Sequence, residues 1–410
     1  MKFEEFNFHP SVEAGVAAAG YEIPTPIQAM AIPKVVKGDD IMGLAQTGTG
    51  KTAAFALPIL NRLLKRKHGR VRALIIAPTR ELAEQIHQSF ETLGHKTNIK
   101  SVAVYGGVSI NPQIQKLKHA DIVVACPGRL LDHINRHSIN LSKMEVLVVD
   151  EADHLFDMGF LPDIRRILKH LPRKRQTLLF SATMPHEINR LAKDMLRDPS
   201  TVQVGTTAPA DTVSHALYPV AHHLKTAFLL KLLGNTDARS VLVFTRTKHR
   251  ARNLERKLVA AGYRSASLQG NLSQARRQAA LDGFRSGKFQ ILVATDIAAR
   301  GIDVTRISHV INYDIPSTPE AYIHRIGRTG RATCSGKAFT LITKEDKKMV
   351  NAINRIIGCE VEERVLSTFN YESPSSNDKG SSNRRRSSQR KFSGVKKSRT
   401  KRKSAPTIFS

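Results

Sequence analysis

Three short stretches carry side chains suited to chemistry on phosphates. "AQTGTGKT" (45–52) follows the strand-like "DIMGLA" and leads into the helical "AAFALPILNRLLKR". There Gly48 and Gly50 let backbone N–H groups turn inward around phosphates, and the helix start adds a positive dipole. Lys51 reaches terminal phosphates, and Thr52 offers a hydroxyl to Mg²⁺. Ala45 stands where the usual pattern has Gly, and an ordinary glycine-rich turn is the alternative reading. "LVVDEADHLF" (147–156) runs a buried-type strand into Asp150, Glu151 and Asp153. A phosphate loop needs a carboxylate on a neighbouring strand end to hold the Mg²⁺ shell, which assigns Asp150. Glu151 is then the group to orient and deprotonate an attacking water, while Asp153 points elsewhere and pairs with a neighbouring element. Capping of the next helix would account for one acid, not three.

Positioning such groups takes parallel strands whose carboxyl ends share one edge. Short apolar runs recur between helix-like stretches at 73–78, 121–126, 146–149 and 177–183, then at 241–244, 291–295, 309–314 and 338–343. This is an α/β rhythm of strands buried on both faces. "GTTAPADTVSH" (205–215) between the two sets reads as a linker. "LIIAPTRELA" and "VLVFTRTKHRA" both end a strand in Thr-Arg and open a helix, so the two sheets would line one cleft with both sets of loops.

Length and charge agree with this plan. The 410 residues suit two domains plus extra, and 41% hydrophobic residues can build real cores. With 64 Lys and Arg against 35 Asp and Glu, the formal charge of +29 points to a polyanion partner. From about residue 374 the chain is Ser-rich with 12 basic residues against one Asp, a tail that cannot bury enough apolar area to fold. Three widely spaced cysteines (Cys126, Cys334, Cys359) make no zinc pattern and fit a reducing cytosol. The acidic start and the lack of an 18-residue apolar run predict a cytoplasmic protein, neither exported nor membrane-spanning.

In order, over nearly all of residues 1–345, these segments resemble the DEAD-box family of RNA-dependent ATPases, whose signature stands literally at 150–153. The short core and basic tail look most like the bacterial RhlE type. The resemblance implies two tandem RecA-like domains, each a mostly parallel sheet flanked by helices, followed by a disordered basic tail. The corresponding ranges are 1–205 (adenine-recognition segment 1–29), linker 206–215, 216–365 and tail 366–410. It implies ATP and Mg²⁺ as cofactors. Gln28 of "GYEIPTPIQ", whose amide matches the edges of adenine, would read the base, with Phe3, Tyr21 and Thr25 near it. Ala45, Gln46, Thr47, Gly48, Thr49, Gly50, Lys51 and Thr52 would hold the phosphates. Thr52 and Asp150 would hold the metal, and Gly301 and Asp303 of "ATDIAARGID" would lie on the ATP side. Catalysis would rest on Lys51, Asp150, Glu151, Arg328 and Arg331. In "HRIGRTGR" (324–331) the threefold spacing of Arg325, Arg328 and Arg331 would present them on one face of a helical turn toward the other domain. A solvated run of guanidiniums is the alternative.

For RNA the resemblance implies contacts from Pro78, Thr79, Arg80, Gly107, Cys126, Gly128, Arg129, Thr245, Gly270, Gln274, Arg277 and Thr295. Asp153, Ser181, Thr183, His324 and Arg325 would couple the domains. Two departures bear on RNA affinity: Cys126 replaces the usual Thr, and Gln269-Gly270 stands where His-Gly is usual. The implied activity is ATP-dependent RNA helicase, closing two domains on one strand, opening short duplexes and releasing on hydrolysis. Its setting would be RNA remodelling in ribosome assembly or RNA turnover. Contacts to sugar and phosphate predict little sequence selectivity, with added non-specific affinity from the tail. A non-catalytic annealing protein and a DNA helicase are the rival readings. Intact Lys51, Asp150, Glu151, Arg328 and Arg331 oppose the first, and the literal DEAD opposes the second.

Overall fold

Unbroken apolar quartets become the inner strands of two sheets. The computed structural model describes residues 1–46, 48–64, 70–204, 213–299, 307–330 and 336–372. The first sheet contains β1 (Ile41–Leu44), β2 (Ala73–Ile76), β3 (Ser101–Val104), β4 (Ile122–Ala125), β5 (Val146–Val149), β6 (Gln176–Ser181) and β7 (Ser200–Gln203). Its strand order is 3-4-2-5-6-1-7. The second contains β8 (Val213–Pro219), β9 (Val241–Phe244), β10 (Ser265–Leu268), β11 (Ile291–Ala294), β12 (His309–Asn312) and β13 (Gly336–Ile342), in order 10-11-9-12-13-8. Neighbouring strands pair in parallel in both.

Parallel strands need crossovers, and the intervening helices cover both faces of each sheet. In the first, Ile75, Val124, Val148 and Leu178 join one core, while Leu74, Ile76, Val123 and Val149 join another. Register sets the working edge: Ile76 lies opposite Val149, Val149 opposite Leu179, and Leu44 opposite Ser181. The residues that follow β1, β2 and β5 therefore emerge together. In the second sheet Phe244 lies opposite both Ala294 and Asn312, which does the same for Thr245, Thr295 and Asp314.

Two expected boundaries move. Val213, Ser214 and His215, assigned to the linker, open β8, pinned by its pairing with β13. Residues 366–369, assigned to the tail, include Phe369, whose ring packs 5.1 Å from that of Phe228, and Thr368, which accepts a hydrogen bond from Asn235 at 3.0 Å. The basic stretch from residue 373 onward lies outside the described residues.

Candidate nucleotide and RNA site

The phosphate loop follows β1. Gly48 and Gly50 have φ of 86° and 96°, a region that side chains with a Cβ rarely adopt. A Cβ on Gly50 would also stand 2.5 Å from Gln28 Nε2. Gly50 then caps the helix Lys51–Leu63, whose first amides face the loop. Lys51 is buried, and its ammonium donates to the Ala45 carbonyl at 2.9 Å, while Thr49 donates to Gln46 at 2.8 Å. Thr47 lies outside the described residues.

The adenine segment closes over this loop. Gln28 reaches back to cap the start of the helix Pro26–Lys37 at Thr25. Gln28 accepts from the Thr25 N–H at 2.9 Å and donates to the Gly50 carbonyl at 3.1 Å. Its amide thus ties the segment to the phosphate loop. Phe3 is buried, and the exposed Tyr21 ring lies 5.8 Å from it.

At the tip of β5 three acids leave solvent together, and each meets a different fate. Burial pushes the Asp150 carboxyl up to about 6, with Lys51 pulling it back and Glu151 and Asp153 adding to the rise. Glu151 has φ 50°, left-handed for a residue with a Cβ. Burial would raise its pKa, but His154, hydrogen-bonded through Nδ1 at 2.8 Å, and the charges of Lys51 and Arg328 hold it below the usual carboxylate range. Asp153 accepts from the N–H groups of Ala182 and Thr183 at 3.2 and 3.0 Å and from the Thr183 hydroxyl at 3.2 Å. Burial opposes its ionisation, yet His324 and His154 hold it low as well. Ser181 accepts from the Asp153 N–H and donates to the Thr183 carbonyl, so the ends of β5 and β6 form one buried network.

The second domain meets these acids with His324 and Arg328. His324 Nε2 lies 3.5 Å from Asp153 Oδ2, and its Nδ1 lies 3.2 Å from His154 Nε2. Arg328 is buried and donates to the His324 carbonyl at 3.3 Å. The expectation of three arginines on one helical face fails, because the helix Pro319–Ile326 ends before Arg328. Arg325 turns into its own domain: it grips Asp296 through Nε at 2.5 Å and a terminal nitrogen at 2.7 Å, and it donates to Asn312 and to the Asp314 carbonyl. A guanidinium with four of its five N–H donors committed to its own domain, over the Phe244 ring at 4.9 Å, does not reach across a cleft. Arg331, Gly301 and Asp303 lie outside the described residues.

The residues expected to touch RNA gather at the same edge, but not all face solvent. Pro78 and Thr79 are buried, and the Thr79 hydroxyl caps the helix Arg80–Leu93. Gly107 has φ 80°, and a Cβ there would strike the Arg80 guanidinium. Cys126 is buried behind β4; it starts the helix Pro127–Asn135 without a side-chain cap, and burial pushes its thiol up to about 12. Gly128 and Gly270 have open space around them, and Arg129 donates to the Val108 carbonyl. The buried Thr245 hydroxyl donates to the Thr247 carbonyl at 3.4 Å, and the Thr295 carbonyl accepts from Ala298 and Ala299. Gln274 and Arg277 are already engaged, both on Glu81 Oε1, at 3.5 and 2.6 Å. They join the two domains. Glu81 and His154 also belong to the site, although nothing local in the sequence singles out either; both act through partners about 170 to 196 positions away, as their hydrogen bonds to Arg277 and His324 show.

Two helix-flanked parallel sheets, with a phosphate loop and acid-tipped strand on the first and His324 and Arg328 presented by the second, define a tandem RecA-like nucleoside-triphosphate hydrolase. The DEAD/DEAH box helicase family matches residues 25–191, and the helicase conserved C-terminal domain matches residues 224–333. The chain is 44% identical over 358 residues to the ATP-dependent RNA helicase CshA of Limosilactobacillus reuteri, covering 87% of this chain and 72% of that protein. It is 42% identical over 370 residues to the DEAD-box ATP-dependent RNA helicase RhpA of Helicobacter pylori, covering 90% and 75%. Among solved structures, S. cerevisiae Dbp5 bound to RNA and ADP BeF3 superimposes with a TM-score of 0.81 at 31% identity, over 89% of this chain and 95% of that one. The chain belongs to the DEAD/DEAH box helicase family, and it is an RNA helicase that hydrolyses ATP. No helix among the described residues is long and apolar enough to cross a membrane.

Proposed function

We propose that this protein works as an ATP-gated RNA clamp. The observation that carries the reading is that the ties between the domains use the site's own side chains: Arg277 and Gln274 on Glu81, and His324 on Asp153 and His154. Closure and site assembly are then one event. The close superposition on a relative bound to RNA and ADP BeF3 supports the same arrangement.

In this reading Gln28, with Phe3, Tyr21 and Thr25 beside it, takes the adenine, exchanging the Gly50 carbonyl for the base. Lys51 leaves Ala45 for the terminal phosphates, and the loop amides cradle the rest. Glu151 orients the attacking water and accepts its proton. Arg328 supplies positive charge as negative charge builds on the transferred group, and Arg331 is assigned the same task by resemblance alone. The residues present fit a hard cation. Asp150 is a buried carboxyl whose charged form burial disfavours, and Thr52 adds a hydroxyl. Among the described residues no three His, Cys, Asp or Glu side chains make a metal cage, so Mg²⁺ would complete its shell with phosphate oxygens and water. When bound, it supplies charge neutralisation at the phosphates.

A strand bent between the two sets of loops cannot keep its partner, so short duplexes open locally and hydrolysis resets the clamp. The RhlE-type placement rests on the short core and basic tail, the cytoplasmic setting on the acidic start and the cysteine pattern, and a role in ribosome assembly or RNA turnover on the family resemblance. Crosslinking to RNA in cells and sequencing the bound sites tests the role. The clamp itself is tested by ATPase and strand-separation assays on short duplexes. We expect RNA to stimulate hydrolysis and DNA to do so far less. Duplex opening without ATP, or equal stimulation by DNA, would remove the reading.

A further inference from the structure

His154 directly follows the DEAD run, and no motif assigns it a task. It is 2% exposed, on the short helix Ala152–Asp157, beside residues that the proposed mechanism uses. Its Nδ1 lies 2.8 Å from Glu151 Oε2, and its Nε2 lies 3.2 Å from Nδ1 of His324 in the second domain. The two rings meet edge to face with centroids 4.6 Å apart. In the tautomer that donates Nδ1–H to the Glu151 carboxylate, Nε2 accepts from His324. A single imidazole therefore spans from the water-orienting acid to the opposite domain.

Glu151 is the acid that it supports. Its backbone is held at φ 50°, a conformation that is strained for a residue with a Cβ. Its N–H bonds the neighbouring Asp150 carboxylate at 2.9 Å. Neither feature aims its carboxylate. The His154 contact does, and that ring is held from its far side by a residue that arrives only with the second domain. Among the described residues, the charged groups facing this pair include Asp153, 3.5 Å from His324, and Arg328 and Lys51, whose charges reach Glu151.

We propose that His154 is a positioning residue that links the orientation of the Glu151 carboxylate to domain closure through His324. The inference rests on the clamp reading and adds to it a route by which closure is sensed at the water-orienting acid. A buried histidine that only fills space would affect folding and leave turnover alone.

The test is steady-state ATPase of the full chain with saturating RNA and ATP, together with ATP affinity in the absence of RNA. His154→Ala is expected to lower kcat about tenfold or more, with RNA-free ATP affinity within about twofold of wild type. His154→Asn keeps a donor near the Nδ1 position but is too short to reach His324, and it is expected to lose turnover too, which guards against an Ala variant that fails to fold. In a double-variant cycle, His324→Ala should cost at least about fivefold less in a His154→Asn background than in wild type, because the tie is already gone. Wild-type turnover in His154→Asn, or fully additive losses with His324→Ala, would overturn the inference while leaving the clamp standing. A wild-type chain without RNA-stimulated ATPase would take down the clamp reading and this inference with it.

Discussion

Arg277 donates through Nε to Glu81 Oε1 at 2.6 Å, joining side chains 196 positions apart that are 10% and 5% exposed. Its terminal nitrogen also donates to the Gln269 carbonyl at 3.2 Å. A pair this buried loses more from the removal of one partner than from the removal of both, because the survivor is left charged without compensation. Glu81→Gln and Arg277→Gln should each weaken RNA binding, in the presence of a non-hydrolysable ATP analogue, by about 2–3 kcal/mol. The double variant should regain part of that loss. Fluorescence anisotropy with a labelled single strand measures the cycle, and simple additivity would show that Arg277 meets RNA rather than Glu81.

Glu151→Gln keeps the volume and removes the base. ATP and RNA binding should persist while turnover at saturating RNA falls by about two orders of magnitude or more. Near-normal kcat would remove Glu151 from the mechanism.

Cys126 starts a helix without a side-chain cap and holds a thiol at 9% exposure. Cys126→Thr supplies a hydroxyl for that cap and should raise stability by roughly 0.5–2 kcal/mol. If the hydroxyl also reaches a phosphate, RNA binding tightens by about 0.5–1.5 kcal/mol. Thermal unfolding and an RNA titration separate the two. A stability gain without an affinity gain assigns the hydroxyl to the helix.

Asp150 carries a carboxyl raised from 3.8 to about 6 by burial. A folded-state pKa above the unfolded one means that its contribution to stability is full below pH 3.8 and is lost as pH rises through about 6. Asp150→Asn should therefore stabilise the protein free of nucleotide and Mg²⁺ by roughly 2–3 kcal/mol at pH 8. The gain should shrink toward pH 4, even though hydrolysis is lost. Unfolding midpoints of both proteins across that range decide it, and a gain independent of pH would mean that packing, not charge, changed.

Removing residues 374–410 takes away 12 basic side chains and one acid, but none of the side chains assigned to catalysis. Turnover at saturating RNA should hold while affinity falls. If four of those side chains neutralise phosphates, the log–log salt dependence flattens by about three units. The loss should be largest on long RNA that reaches both tail and core. Equal salt slopes and affinities for full-length and truncated protein would leave the tail without an RNA role.

The sequence by itself determined the inner strands and the chemistry at their ends. β2, β4, β5, β9 and β11 are buried at every position and spell continuous apolar runs, and β12 keeps an apolar pair at its centre. The phosphate loop and the acid run are local, so short spacing is enough to read them. The strands that carry no such run are β3, β7, β8 and β10, and these are the four edges of the two sheets. An edge strand is covered on fewer sides, so its sequence mixes Ser, Thr, Gln and His with apolar residues and carries no run to detect. What only the tertiary structure decided is which partner each charged side chain takes. Arg325 and Arg328 stand three apart and look alike in the chain, yet Asp296 holds the first inside its own domain while the charge of the second acts on Glu151. Nothing near His154 or Glu81 in sequence announces His324 or Arg277, because those contacts exist only once two separately wound sheets present the same edge to each other.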